Sequence, residues 1–331
     1  MNLARALGKR LLALAFVLFL VTLFTAALIS MTPGDPVDLL VPLAESDNPE
    51  IQQTVQEQKD AVREDLGLDE PFPVRYAHWL GDFVQGDFGK YYRTNATDPV
   101  GDKIKSALPV SLQLMVYAQI LALVVAIPLG VVTAYRAGSR FDRATNASAF
   151  GLLSIPNFVL GLFLAYYVGV FLGWLPNEGY RHPSDGLVEH FRYMALPTIT
   201  LAAAQIAVYM RLLRSDMVQT LQEDFIQMAR SKGISDRRVL WRHALRPSSI
   251  TLLTVSGLNV GTLIGGALVV ERIFSLPGVG RAIFDAINGR QYVALQSFVA
   301  VLAILFVMVN FTVDVLYTVI DPRIRHARAT S

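Results

Sequence analysis

Six uncharged stretches, each long enough to cross a hydrocarbon layer as a helix, recur at residues 11–33, 106–135, 144–177, 193–210, 247–270 and 291–313. Inside lipid a backbone must satisfy its own hydrogen bonds, so such stretches are expected as helices. The chain is accordingly expected to be an all-α membrane protein with six transmembrane helices. Composition agrees: 53% of the 331 residues are hydrophobic and only 17% are charged. The third stretch is long enough to tilt or to run beyond the bilayer at one end. The first comes after Arg5, Lys9 and Arg10, as in a signal peptide. It runs uncharged well beyond the roughly 7–15 residues of a signal-peptide core and lacks a small-x-small cleavage site, so it is read as an uncleaved span.

Basic residues beside the span ends orient the chain. Arg5, Lys9 and Arg10 flank the start, and Arg136, Arg140 and Arg143 lie between spans two and three. Arg211, Arg214, Arg230, Lys232, Arg237, Arg238, Arg242 and Arg246 come after span four, and Arg323, Arg325 and Arg328 close the chain. These segments alternate with less basic ones, which places both termini in the cytoplasm. Residues 35–105 then lie outside as an acidic lobe. Residues 51–66 read as helix, and Pro71, Pro73, Gly81, Gly86 and Gly89 break residues 67–89 into short pieces. The lobe's aromatics, Phe72, Tyr76, Trp79, Phe83, Phe88, Tyr91 and Tyr92, suit its own core, membrane-interface anchors or a docking surface. A second outer feature, residues 275–288, reads as an interfacial or re-entrant helix with Val279, Ala282, Ile283, Ala286 and Ile287 on one face.

The chemistry is defined first by what is missing. There is no cysteine and no G-x-x-x-x-G-K-[ST] phosphate loop; GDFGK at 86–90 has the wrong spacing. Neither H-E-x-x-H nor G-x-S-x-G occurs, and the histidines do not cluster. No catalytic or metal site is therefore expected, and if the chain moves a solute uphill, the energy must come from a partner or an ion gradient. For a gradient, Asp314 is the candidate relay, one turn after Asn310, although the pair also suits an interhelical hydrogen bond. Glu271 and Arg272 read as markers of the outer interface. Gln113, Gln119, Gln205, Ser256, Asn259, Thr262 and Gln296 either line a polar path or join helices. Gly257, Gly261, Gly265 and Gly266 allow the fifth span close approach to a neighbour.

The most distinctive polar interruption is residues 223–247, which read as two short helices. Phe225, Met228 and Ala229 give the first an apolar edge, and Gly233 suits the left-handed residue that ends it. Ser235 or Asp236 caps the second, which Pro247 stops or hands on. A basic helix pair also suggests a DNA-reading helix-turn-helix, lipid binding or topogenic charge. Short ties to membrane spans at both ends exclude a DNA groove.

At these residues the chain resembles the EAA loop of binding-protein-dependent ABC importers, in the form found in B-type permeases of the dipeptide and oligopeptide family. The general pattern is Glu-Ala-Ala, three residues, Gly, nine residues, Ile-x-Leu-Pro. Gln227, Met228, Ala229, Gly233, His243, Leu245 and Arg246 correspond here, so the opening Glu, first Ala, Ile and Pro are replaced. MARSKGISDRRVLWRHALRP nevertheless is similar to the peptide-family version. So are TPGDP at 32–36, DLGLDEPFPVRYAHWLGDFVQGDFG at 65–89, SIPNFVLGLFL at 154–164 and GWLPNEGY at 173–180. RLLRSDMVQTL at 211–221, GGALVVERIFSLPGVGRAI at 265–283 and NFTVDVLYTVIDPRIR at 310–325 complete the resemblance.

The resemblance implies a type I ABC importer fold: a first helix and folded extracytoplasmic insertion at 1–105, a five-helix core at 106–320, and a cytoplasmic tail at 321–331. It implies a non-catalytic permease of a bacterial or archaeal plasma membrane, half of a path for dipeptides or oligopeptides, with glutathione and nickel chelates as alternative cargo. The implied partners are a sister permease, two ATPase subunits carrying ATP and magnesium, and an extracytoplasmic peptide-binding protein. The loop at 216–246 becomes the coupling element, with Glu223, Asp224, Phe225, Gln227, Met228, Ala229, Arg230, Lys232, Gly233, Arg237 and Arg238 its contact residues.

Overall fold

A computed structural model of the chain describes residues 3–31, 35–41, 49–93 and 96–320. The first residues of TPGDP, the tip at 42–48 and the basic tail at 321–331, with Arg323, Arg325 and Arg328, lie outside the described residues. The chain divides into two compact units.

One unit combines the residues up to Pro109 with Gly278–Met308. Helix α1 (Leu3–Ser30) runs unbroken through the first apolar stretch as far as Ser30. A short α2 (Val37–Leu40), then α3 (Pro49–Asp65) and α4 (Phe72–Gln85) build the lobe, with an antiparallel hairpin of β1 (Lys90–Arg93) and β2 (Ala96–Pro99). Helix α4 starts behind Pro71 and ends at Gly86, whose φ of 91° only glycine adopts without strain. Four of the lobe aromatics build a core that the lobe shares with α1 and the last helix. Tyr76 and Trp79 are buried with Ala26 of α1 and Ala300 of α13 (Tyr292–Ile320), and Phe72 and Phe83 pack against them. Polar ties fix the same contacts. The hydroxyls of Thr22 and Tyr76 lie 2.8 Å apart, and Trp79 Nε1 donates to Ser297 Oγ at 3.1 Å. Gln291 accepts from the Tyr92 amide at 2.9 Å and donates to its carbonyl at 2.7 Å.

The amphipathic helix expected before the last span is α12 (Val279–Asn288). Val279, Ile283 and Ala286 are buried as expected, whereas Ile287 is 51% exposed.

The other unit holds α5 (Val100–Tyr135) from Val110 onward, α6 (Arg140–Ser154), α7 (Asn157–Leu164), α8 (Leu187–Thr220), α9 (Asp224–Ser231), α10 (Asp236–Arg238) and α11 (Leu245–Ile273). The third apolar stretch departs from expectation. It is not one tilted helix, because α6 and the helix after it meet at 98°. Pro156 has no N–H to continue the ladder and pushes Ile155 into extended backbone at φ −94°, ψ 119°. Beyond α7 the helix widens into a π-turn over Ala165–Phe171. Among the described residues four helices are long and apolar enough to span, five if the bent pair counts as one, and Ala15–Ser30 of α1 is a shorter apolar helix.

Helix α8 is the centre of this unit: 61% of its apolar window is buried, against 28% for the helix that includes α11. Gly266 permits the α8–α11 contact, since a Cβ there would come within 2.7 Å of Leu201 Cδ1; Gly265 faces open space. Glu271 is 1% exposed, packed inside the unit, while Arg272 beside it is exposed.

Candidate functional site

The loop after α8 folds back on its own scaffold through a few apolar contacts. Helix α9 begins at Glu223, in extended conformation, and carries Asp224 in its first turn, where a negative charge suits the helix dipole. Ile226 and Ala229, at i and i+3, are 0% and 7% exposed. Phe225 and Met228, the other i, i+3 pair, are 46% and 59% exposed. The apolar edge predicted from sequence thus divides. Ala229 turns inward beside Ile226, which sequence reasoning missed, and Phe225 and Met228 remain as an outward pair. The physical cause is tethering, because an eight-residue helix held at both ends must bury one side on its own chain to stay ordered.

Gly233 ends α9 in the predicted left-handed conformation, at φ 73°. Its N–H donates to the Arg230 carbonyl at 2.9 Å, and that of Ile234 to the Ala229 carbonyl at 3.3 Å, which together form a Schellman cap. Ser235 occupies the N-cap of α10. The second helix does not stop at Pro247. A π-turn over Val239–Ala244 carries it into α11, so Asp236–Ile273 runs on as one span. The wider turn accommodates Pro247, which cannot donate and would crowd the carbonyl four residues back.

Val239, Leu240 and Ala244 seat this second leg inside the unit. Asp236 ties the loop down, accepting from Tyr135 Oη of α5 at 3.2 Å and lying 3.9 Å from Arg230 Nε. Ser248 Oγ donates to Thr220 Oγ1 at 2.8 Å and clasps the two ends. Glu223, Asp224, Gln227, Arg230, Lys232, Arg237 and Arg238 are exposed around the Phe225–Met228 pair. The result is a cationic knuckle with an exposed apolar centre.

A second constellation braces the same end. Arg214 of α8 makes a two-pronged bond to Asp142 of α6, Nε to Oδ1 at 2.5 Å and Nη2 to Oδ2 at 2.6 Å. Asp142 also accepts from the Gly138 amide at 2.8 Å and from Asn146 Nδ2 at 2.7 Å, and is 3% exposed. From sequence, Arg214 counts only as an orienting charge. A signal is present all the same: an acid one turn into α6 and an arginine near the end of an apolar helix.

The predicted pathway residues separate into two groups. Ser256 is buried and bonds within α11 to the Leu253 carbonyl at 3.0 Å; its own carbonyl accepts from Gln119 Nε2 at 3.4 Å. Tyr209 donates to Gln119 Oε1 at 3.2 Å, so this group joins α5, α8 and α11. The second group is a ladder between α8 and α11. Asn259 Nδ2 donates to Gln205 Oε1, and Gln205 Nε2 to Thr262 Oγ1, each at 3.2 Å. Thr262 is exposed at its open side. Gln113 accepts from Tyr180 Oη at 2.9 Å. Asn310 is half-buried on α13, and the side chain of Asp314 lies outside the described residues. Among the described residues no group of three or more His, Asp or Glu side chains could hold a metal.

In comparisons with known proteins, residues 126–326 match the family described as the inner membrane component of binding-protein-dependent transport systems. Residues 3–115 match the N-terminal region of such membrane components. The chain is similar to a probable peptide ABC transporter permease protein, y4tP, of Sinorhizobium fredii: 36% identical over 320 residues, 96% of this chain and 98% of the relative. It is 37% identical to the oligopeptide transport system permease protein AppB of Bacillus subtilis over 92% of this chain and 94% of that one. It is 36% identical to the glutathione transport system permease protein GsiC of Shigella flexneri over 96% and 98%. Among solved structures, a chain of the MetNI methionine ABC transporter in inward-facing conformations shares the fold. The TM-score is 0.54 at 16% identity, over 66% of this chain and 96% of that chain.

Proposed function

Since the chain belongs to the family of inner membrane components of binding-protein-dependent transport systems, we propose that it is a peptide-importer permease driven through the α9–α10 knuckle. In this reading it pairs with a sister permease in the plasma membrane. Two ATPase subunits below carry the ATP and magnesium, and an extracytoplasmic binding protein delivers a dipeptide or oligopeptide. Residues 1–105 supply the first span and outer lobe, 106–320 the core, and 321–331 a cytoplasmic tail.

The observation that carries the coupling role is the exposure of Phe225 and Met228 on a loop that is otherwise held by contacts within its own chain. ATP-driven closure of the ATPases pulls on that pair. Ser248–Thr220 and the continuous second leg pass the movement to α8 and α11. The peptide substrate rests on the names of the full-length relatives, and the glutathione relative keeps a modified peptide as second cargo.

The test is reconstitution with the co-purifying ATPases and binding protein, followed by elution of the bound solute. Peptide-dependent uptake supports the reading. Uptake by the purified chain alone, abolished by Asp314→Asn and by collapse of a proton gradient, replaces it with a stand-alone carrier.

A further inference from the structure

A groove of about 420 Å³ lies between α6, α8 and α11. From it we infer a binding site for an anionic phospholipid of the cytoplasmic leaflet, its phosphate held by Arg211. The site is separate from the coupling knuckle and holds for any cargo.

Three observations give the occupant. The first is an unmatched cation. Arg211 of α8 is half-buried, and its guanidinium carbon sits 3.9 Å from the centre of the Phe150 ring of α6. That stacking seats the planar fork without neutralising it. Among the described residues no carboxylate pairs with Arg211, whereas its neighbour Arg214 is taken by Asp142. The described wall contains no carboxylate at all.

The second observation is a gradient of polarity along the groove. Asn146 of α6 and Arg214 and Ser215 of α8 stand at the end nearer the knuckle. Leu153, Val208 and Val255 line the other end, Leu153 being about 10 Å from Asn146 along α6. The third is depth. Arg211 follows directly on the uncharged stretch 193–210, and Asn146 stands near the start of 144–177. The polar end is therefore at headgroup level, on the side that the basic residues assign to the cytoplasm, and the apolar end is within the hydrocarbon.

An anionic phospholipid matches all three. Its phosphate takes the N–H donors of Arg211, its ester oxygens meet Ser215 and Asn146, and an acyl chain covers Leu153, Val208 and Val255. A choline headgroup brings its own cation to a wall with no carboxylate to receive it. A free phosphate leaves the apolar end uncovered.

Native mass spectrometry of the full chain in detergent, titrated with phosphatidylglycerol and separately with phosphatidylcholine, counts the lipids retained. One phosphatidylglycerol should be held at least about tenfold more tightly than phosphatidylcholine, the scale of one charged hydrogen bond. Arg211→Ala should abolish that preference. Phe150→Leu, at an exposed ring that seats the guanidinium, should weaken it, and Leu153→Gln, at the exposed rim of the apolar end, should weaken both lipids. Arg143→Ala removes an exposed arginine of α6 outside the groove wall and should leave the preference intact. Equal losses in Arg211→Ala and Arg143→Ala indicate general charge attraction and overturn the site. So does the absence of any preference, or one that survives both Arg211→Ala and Phe150→Leu. Displacement of the lipid by excess inorganic phosphate overturns it in favour of a free anion. The same lipid should be retained by the assembled importer; its loss on assembly gives the groove to a partner subunit and overturns the lipid.

Discussion

Asp142 and Arg214 show how much of the molecule's rigidity rests on single side chains. A buried carboxylate that loses its guanidinium is left charged and unpaired. Arg214→Ala should therefore cost about 3 kcal/mol of stability, read as a lowered midpoint in thermal unfolding of the purified chain. Arg214→Lys should recover only part of that, because one ammonium cannot reproduce a fork with two donors to both oxygens. Asp65 in the lobe makes the matching case for pH. Burial alone would raise its carboxyl, but donors from Lys90, at 2.7 and 2.8 Å, and from Tyr92 outweigh burial and hold it below the ordinary carboxylate range. A lowered folded value means that the tie between α3 and the hairpin is at full strength above the ordinary carboxylate range. It is lost as pH falls through the folded value. Hydrogen exchange of the hairpin, corrected for its intrinsic pH dependence, should show constant protection from neutral pH to about pH 4 and lose it only below, and Asp65→Asn should abolish that acid limb. Residues of this kind are the hardest to read from sequence. Asp142 acts through Arg214, far away in the chain, and no local spacing announces such a partner.

At the level of elements, α9 and its cap carry the clearest expectations. A Cβ at Gly233 would meet nothing within 4 Å, so substitution there is opposed only by its left-handed backbone. Gly233→Val should cost about 1–2 kcal/mol, measured as loss of protection in the loop, and Gly233→Asn distinctly less, since asparagine tolerates that region. Gly266 is the reverse case, ordinary in conformation but pressed against Leu201. Gly266→Leu should disrupt the α8–α11 contact and lower the unfolding midpoint, while Gly265→Leu should be tolerated. Much at this scale was legible. The α9 terminus, the N-cap at Ser235, the amphipathic α12 and the helical identity of each apolar stretch all come from periodicity and breakers. What was not legible was continuity. Pro156 bends one apolar stretch by 98°, whereas Pro197 sits inside α8 and Pro247 inside the first turn of α11 without ending either. The same residue type breaks or is absorbed according to whether neighbouring helices and π-turns re-satisfy the freed carbonyl, which is a tertiary matter.

For the whole molecule, the orientation read from basic residues makes a direct prediction, and the absence of cysteine makes it simple to check. Single cysteines at Ser139 and Ser235 should be protected from an impermeant thiol reagent in intact cells, and one at Ser184 should react. Reaction at Ser235 would turn the knuckle away from any cytoplasmic ATPase. Family and overall fold were legible because blocks along nearly the whole chain carry them. The division of α9 into an inward and an outward pair was not, because it depends on what the tethered loop packs against. That division is the account's central claim, and Met228→Asp in the reconstituted importer tests it most directly. Met228 is 59% exposed, so the change should leave membrane insertion and unfolding midpoint unaltered. Peptide uptake and peptide-stimulated ATP hydrolysis should fall about tenfold or more, as when one anchor of a contact is removed. Uptake and stimulated hydrolysis at normal rates would show that the knuckle does not receive the ATPase stroke.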